Sequence, residues 1–383
     1  MITQYYTVRK SALIILTCHS ILLRAEEVVI ASFDHNGQIS FNEVTDAIRY
    51  RIEWSPAVNG VWTNFAGDLG VWMGNIPAAD NGIVTVAVPM VYRVVAQLPP
   101  VGMVYVPAGS FMMGNATNVF SAEEGEANEL PQHNVNLNAF YIDKYEVTRS
   151  LWVDVRIAAN SWGYSFSNDS IPNASSLPMT EIPWYDAVKW CNARSQVEGL
   201  APVYYTDAGF TNIYMTGEAN PYADWSANGY RLPTEAEWEK AARGGINDLR
   251  FPWDDFTNKI SHAKANYYAL FNSYDLSEGE GVHPSYSGQS SPVGSFDPNP
   301  YGIYDMAGNT WEWCWDWFDG DYYASASSLN PVGPVNGSDR VVRGGSFDIS
   351  ANNARCSARQ FAIPSEINVN VYSSFSFRCV RNP

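Results

Sequence analysis

The sequence predicts an α+β protein in two parts, a small all-β domain followed by a large irregular domain. Three observations carry that prediction. Residues 27–97 hold six short β-type runs separated by turn signals. Beyond a break at 98–102, only two segments combine helical periodicity with start and stop signals. The rest of the 383-residue chain reads as loop and isolated short strands, with no repeat at a period of roughly 20–50 residues.

Composition sets limits on function before any motif is read. Hydrophobic residues make up 46% and charged residues 16%, which affords a sizeable core and argues against wholesale disorder. Aromatics reach 14%, a richness suited to loop-heavy folds pinned by large rings or to ligand-binding surfaces. The net charge of −17, with no basic run, excludes a nucleic-acid backbone as partner.

Taken in order, the chain begins with Arg9-Lys10, "SALIILTCHSILL" and "RAEE". A basic start followed by an apolar stretch is signal-peptide grammar, and residues 1–25 are read that way, with cleavage after Ala25. A buried N-terminal strand is the competing reading. No later stretch approaches the roughly 20 apolar residues of a spanning helix. The expected location is therefore secreted, periplasmic or cell-surface.

Residues 27–97 carry "VVIASF", "ISF", "IRYRIEW", "GVWTNF", "GIVTVAV" and "VYRVVAQ", punctuated by Asn36-Gly37, Asn59-Gly60 and Asn81-Gly82. This predicts a small β-sandwich-like domain. Ser32–Glu43 has several EF-hand offsets but begins with Ser and has no preceding helix pattern, so a hairpin is favoured over a calcium loop. "LPPVG" (98–102) is a linker. In "PWYDAVKWCNARSQVEG" (183–199), Ala187, Trp190, Cys191 and Arg194 share a helical face and Gly199 supplies a stop. In "RLPTEAEWEKAARGG" (231–245), Thr234 caps a helix and Glu237 completes a capping box.

Six collinear blocks then stand out: "MVYVPAGSFMMGN" (103–115), "FYIDKYEVTRSLW" (140–152), the helix block at 231–245, "NPYGIYDMAGNTWEWCWDWF" (299–318), "RVVRGGSF" (340–347) and "SFRCVR" (376–381). Together they resemble the sulfatase-modifying-factor family, whose founding members are formylglycine-generating enzymes. The resemblance covers about residues 101–383, with the domain itself at 103–383, and implies an irregular C-type-lectin-like fold. It also implies what to look for in a catalyst: two thiols, separated by four residues, that hold copper(I), for which soft thiolates are the suitable ligands. The first of these positions falls on Ile349, and the second has no counterpart. The His-x-x-x-His-x-Glu set of iron-dependent relatives is absent as well. No copper is therefore expected, and the enzyme class is left leaning towards no.

The same resemblance assigns the remaining cysteines. Cys356 in "RCSAR" matches a structural cysteine whose partner position is Ala242. Cys191 and Cys379 match a family disulfide, while Cys314 and Cys356 are expected to stay reduced. In "YDMAGNTWEW" the resemblance implies structural calcium, held by Asp305 and Glu312 side chains and by the Gly308 and Thr310 carbonyls. Hard oxygen donors on a tight turn suit that ion. A second family calcium position, at Asn266, lacks its carboxylate.

Between Phe347 and Ser376, aromatic, small polar and β-branched residues mix without strand or helix period. Arg343, Gly344, Gly345, Ser346, Arg355, Ala358, Arg359, Pro364, Phe377 and Arg378 look like family framing positions. Between them, many residues are reachable from an Asn codon by changing its first two bases. That pattern resembles the variable proteins of diversity-generating retroelements. The expected ligand-binding face is Phe347, Asp348, Ile349, Ser350, Asn352, Asn353, Phe361, Ile363, Tyr372 and Phe375, a paratope-like mixture. Its partner would be a protein or glycan, not nucleic acid. Two other classes compete: a family-type enzyme with an unrecognised active site, for which Ser346, Asp348 and Glu146 are candidate groups, and a structural surface or assembly protein.

Overall fold

The structure, a computed structural model, describes residues 30–33, 38–41, 44, 47, 49–55, 63–64, 73–74, 83–85, 91–116, 125–167, 173, 175–253, 255, 257–270, 273–365 and 374–383. The expected signal segment and Tyr372 lie outside them. Among the described residues no helix is long and apolar enough to cross a membrane.

The N-terminal part forms two small antiparallel sheets. β1 (Ile30–Phe33), β2 (Gln38–Phe41) and β6 (Ile83–Thr85) make one; β3 (Arg49–Ser55) pairs with β4 (Thr63–Asn64), β5 (Met73–Gly74) and β7 (Val91–Gln97) in the other. β1 and β2 pair antiparallel, as the hairpin reading expects and an EF-hand would not. Phe41 of β2 and Tyr50 of β3 are both buried with ring centroids 4.9 Å apart, which ties one sheet to the other.

In the large domain β8 (Met103–Val106) and β18 (Val380–Arg381) flank β11 (Phe140–Asp143), while β9 (Gly109–Met113) pairs with β10 (His133–Leu137). Short β12 (Tyr204–Tyr205) and β13 (Tyr222–Ala223) form a ribbon. A four-stranded sheet, ordered β16-β15-β14-β17, is built from β14 (Trp311–Trp317), β15 (Arg340–Arg343), β16 (Gln360–Ala362) and β17 (Phe375–Ser376).

Among the described residues three α-helices serve these sheets, one more than the sequence predicts. α2 (Trp184–Val197) and α3 (Glu235–Ala242) fall where expected, and α3 has the full Thr234–Glu237 capping box. The unpredicted α1 (Arg149–Ser161) is capped by Thr148, whose side chain accepts from the Leu151 amide. Its inner face is Trp152, Val155, Arg156 and Ala159. The buried guanidinium interrupts what would otherwise be an apolar stripe. α1 and α2 are locked by Trp152 and Trp190, stacked with nearly parallel rings 5.8 Å apart, with Phe377 edge-on to both. A second core packs Trp238 of α3 against Cys314, Val341, Cys356 and Val380.

Buried Arg340 is held by aromatic rings and a carbonyl rather than by a carboxylate. It opens β15 with its guanidinium carbon 3.7 Å from the Trp184 ring centroid and 3.4 Å from that of Trp317. It donates to the Trp315 carbonyl, and burial lowers its pKa to about 9.

Candidate ligand-binding face and cation site

The face begins where β15 ends in Gly344-Gly345. Both glycines have positive φ, +91° and +77°, a region that costs other residues strain. A Cβ on Gly344 would stand 3.2 Å from the Trp238 ring, and one on Gly345 would stand 3.1 Å from the Asn353 carbonyl. The turn therefore throws the chain off the sheet into a single 3₁₀ turn at Ala351–Ala354.

Buried arginines fix this excursion. Arg343 donates to the carbonyls of Cys356, Ser357 and Ala358 at 3.0, 3.0 and 2.6 Å and pairs with Glu239. Arg355 grips Glu129 at 2.8 and 2.6 Å, Arg359 grips Glu235 at 2.7 and 2.9 Å, and Arg378 grips Glu312 at 2.7 and 2.6 Å. Two-point pairs of this kind fix direction as well as distance. All the framing positions named from the sequence are buried.

The residues between the frame behave differently from one another. Phe347, Asp348, Ser350, Asn352 and Asn353 are half-buried. Asp348 accepts from the Ser346 hydroxyl, and burial raises its pKa. Asn352 accepts from Arg355 Nε at 3.1 Å, and Asn353 from Gln360 Nε2 at 3.4 Å. Ile349 packs against the helical core and does not stand free on the face. Phe361 of β16 and Ile363 just beyond its end are 50% and 54% exposed on either side of buried Ala362. Phe361 leans on Phe318, 4.4 Å between centroids. Register puts Gln360 beside Val342 and Ala362 beside Arg340, so Ile363 lies at the far end of β15 from the glycine turn.

Phe375 corrects the sequence reading. It is 8% exposed, pairs with Trp311 through β17, and packs 4.8 Å from Trp313. It is core, not face. Conversely, sequence reasoning missed Tyr268. Its amide donates to the Ile349 carbonyl at 3.0 Å and its side chain is exposed beside the turn. The outward alternation in "YYAL" was the available signal.

Cys356 is fully buried, and burial pushes its thiol up to about 12, so it is inert as a nucleophile. Cys191 and Cys379 are buried with sulfurs 3.7 Å apart, in contact but unbonded.

The cation residues do not assemble as the resemblance implies. Both oxygens of Glu312 accept from Arg378, and Oε2 also accepts from Trp238 Nε1 at 2.9 Å, so this side chain is committed to the arginine before any metal. Asp305 Oδ2 accepts from the Gly294 amide at 2.7 Å, but its buried Oδ1 has no hydrogen-bond partner among the described residues. Burial pushes Asp305 up to about 6. Glu146, at which the resemblance implied nothing, is fully buried beside it. Glu146 Oε1 accepts from Asn309 Nδ2 at 2.9 Å, and its Oε2 likewise has no hydrogen-bond partner among the described residues. Burial, then the charge of Asp305, raises Glu146 well above the carboxylate range. Gly308 closes the turn, where a Cβ would fall 2.3 Å from the Asn266 carbonyl. Among the described residues no three His, Cys, Asp or Glu side chains converge in a ready cage. Asp305 and Glu146 with backbone carbonyls nonetheless suit a hard cation, which would relieve two buried like charges.

The chain matches the sulfatase-modifying factor enzyme 1-like domain over residues 92–383. It is 33% identical over 300 residues to the formylglycine-generating enzyme of Thermomonospora curvata, covering 74% of this chain and 94% of that one. It is 30% identical over 286 residues to the serine/threonine-protein kinase pkn1 of Chlamydia pneumoniae, covering 73% of this chain and 38% of that protein. Among solved structures, Treponema denticola variable protein 1 superposes with a TM-score of 0.56 at 27% identity, over 73% of this chain and 95% of that one. The fold is thus the irregular C-type-lectin-like α+β type that the six sequence blocks led us to expect.

Proposed function

We propose, from the premise that this chain belongs to the sulfatase-modifying factor enzyme 1-like family, that its large domain is a non-catalytic ligand-binding scaffold. Ile349 carries the proposal. The family resemblance sets the first copper thiol of the enzymes at this position, and an isoleucine can neither ligate a soft metal nor exchange electrons. Cys356, seven residues on, is buried with its pKa raised, the opposite of what a metal thiolate needs. Kinship to a variable protein as well as to enzymes supports a scaffold used for more than one purpose.

In this reading Phe347, Asp348, Ser350, Asn352, Asn353, Phe361 and Ile363 supply ligand contacts on an arginine-pinned frame, and the stretch is diversified by a retroelement. Sibling sequences differing chiefly within 347–376, beside an adenine-rich near-copy and a reverse transcriptase gene, are the expected genomic mark. Calcium at Asp305, with Glu146 and the Gly308 and Thr310 carbonyls, stabilises the domain. The protein is exported, and there Cys191 and Cys379 are oxidised to a disulfide; peptide mapping without reductant reads this directly. The deciding assay presents purified protein, copper(I) and oxygen to a Cys-x-Pro-x-Arg peptide. No aldehyde is expected, and aldehyde formed over multiple turnovers would overturn the proposal.

A further inference from the structure

The face has a second wall that lies outside the 347–376 stretch. Tyr268 pairs in parallel with Ser350, and Ala269 pairs antiparallel with Gly281 through bonds of 2.7 and 3.0 Å in both directions. Residues 349–350, 268–269 and 281 therefore form a small ladder. Strand alternation sends Ala269 inward, and Tyr268 and Leu270 outward. The Ala269–Gly281 register sets Val282 across from Tyr268 and Glu280 across from Leu270. All four are exposed, Tyr268 at 36% and Leu270 at 40%.

This wall shares a foundation with the turn. Ala269 belongs to the same buried cluster as Tyr267, Tyr274, Ala351 and Ala354, the last two from the 3₁₀ turn. A surface so supported is ordered before any partner arrives, which lowers the entropic cost of binding. Its charge is one-sided. Beside Gly281, Glu278 and Glu280 are exposed, and the chain from 265 to 339 carries no lysine or arginine. Gly344–Ala354 adds Asp348 and again no cation.

We infer that this wall, with the 347–353 turn, docks a protein segment whose lysine or arginine side chains lie beside apolar ones. The inference rests on the ligand-binding reading. The apolar side chains would cover Tyr268, Leu270 and Val282, and the cations would meet Glu280, Glu278 and Asp348. Such complementarity speeds and orients encounter and is weakened by salt.

The test pans a random-peptide phage library against the intact protein, then titrates the recovered peptides as synthetic probes. A glycan array runs in parallel. Enriched peptides should combine Lys or Arg with aromatic or branched residues and bind more weakly as salt rises. Tyr268→Ser and Glu280→Lys should each weaken binding by roughly tenfold with the melting temperature unchanged, as loss of one hot-spot contact does. Glu280 is exposed, so that variant remains decisive if Tyr268→Ser misfolds. Peptides without cationic bias, or indifferent to both substitutions, overturn the inference and leave the ligand-binding reading standing. Binding of glycans alone does the same. Binding of neither class overturns both.

Discussion

Within the one stretch from Arg343 to Arg378, two sets of residues alternate along the chain and differ in almost every physical respect. The framing positions are buried, and their four arginines are paired with acids drawn from α3, β14 and the 127–129 turn, three of them at two points. Between them Phe347, Asp348, Ser350, Asn352 and Asn353 are half-exposed, and the side chains of Asn352 and Asn353 accept bonds of 3.1 and 3.4 Å. A buried ion pair adds little net stability over an apolar substitute, yet breaking one is costly. Removing one partner of a frame pair should therefore cost far more than truncating an exposed residue that the frame carries.

The comparison breaks if the frame proves dispensable. Arg343→Met removes three carbonyl contacts and one partner of Glu239. It should destabilise by about 3–5 kcal/mol, and Phe375→Ala should cost a similar amount of about 3–5 kcal/mol as a cavity beside Trp313. Denaturant titration measures both, and values under about 1 kcal/mol would remove the distinction. Next in size, chelation should lower the melting temperature. The loss is about 2.7 kcal/mol if calcium had been at a hundredfold excess over Kd. Asp305→Asn and Glu146→Gln should each shrink that shift, and a melt indifferent to chelator would exclude the site.

A smaller effect sharpens the cost of burying charge in the frame. Asp316 accepts from the Glu235 amide at 2.8 Å, and burial, then the Glu235 charge, pushes its carboxyl up to about 8 from 3.8. A carboxyl raised on folding binds its proton more tightly in the native state. Its contribution is full below pH 3.8 and is lost as pH rises through about 8. Asp316→Asn should therefore stabilise above pH 8 more than at pH 5, giving a flatter melting profile across that range. The smallest effect on stability should come from Phe361→Ala, under about 1 kcal/mol, although it should abolish ligand binding. If Phe361→Ala unfolds the domain, β16 is frame as well.

Legibility followed the range of the interaction. α3 was readable because Thr234, Glu237 and the following glycines are neighbours in sequence. The fold was readable through six ordered blocks. α1 was not, because Arg156 sits where its apolar stripe should continue. Phe361 and Phe375 look alike in a stretch without period. Only the pairing of Phe375 with Trp311, 64 positions away, separates core from face. Glu146 meets Asp305 across a longer gap still, and the sequence alone could not show that Arg378 had already claimed Glu312.

The caged guanidinium of Arg340 has an experimental consequence. It is pressed between Trp184 and Trp317 and paired across the sheet with Ala362, the residue flanked by Phe361 and Ile363. A cation held against indole rings perturbs their emission. Any partner that shifts β16 therefore acts on a chromophore already built into the strand behind it. Intrinsic fluorescence can report occupancy of that edge in the unlabelled protein, with Arg340→Leu as the control that silences the signal.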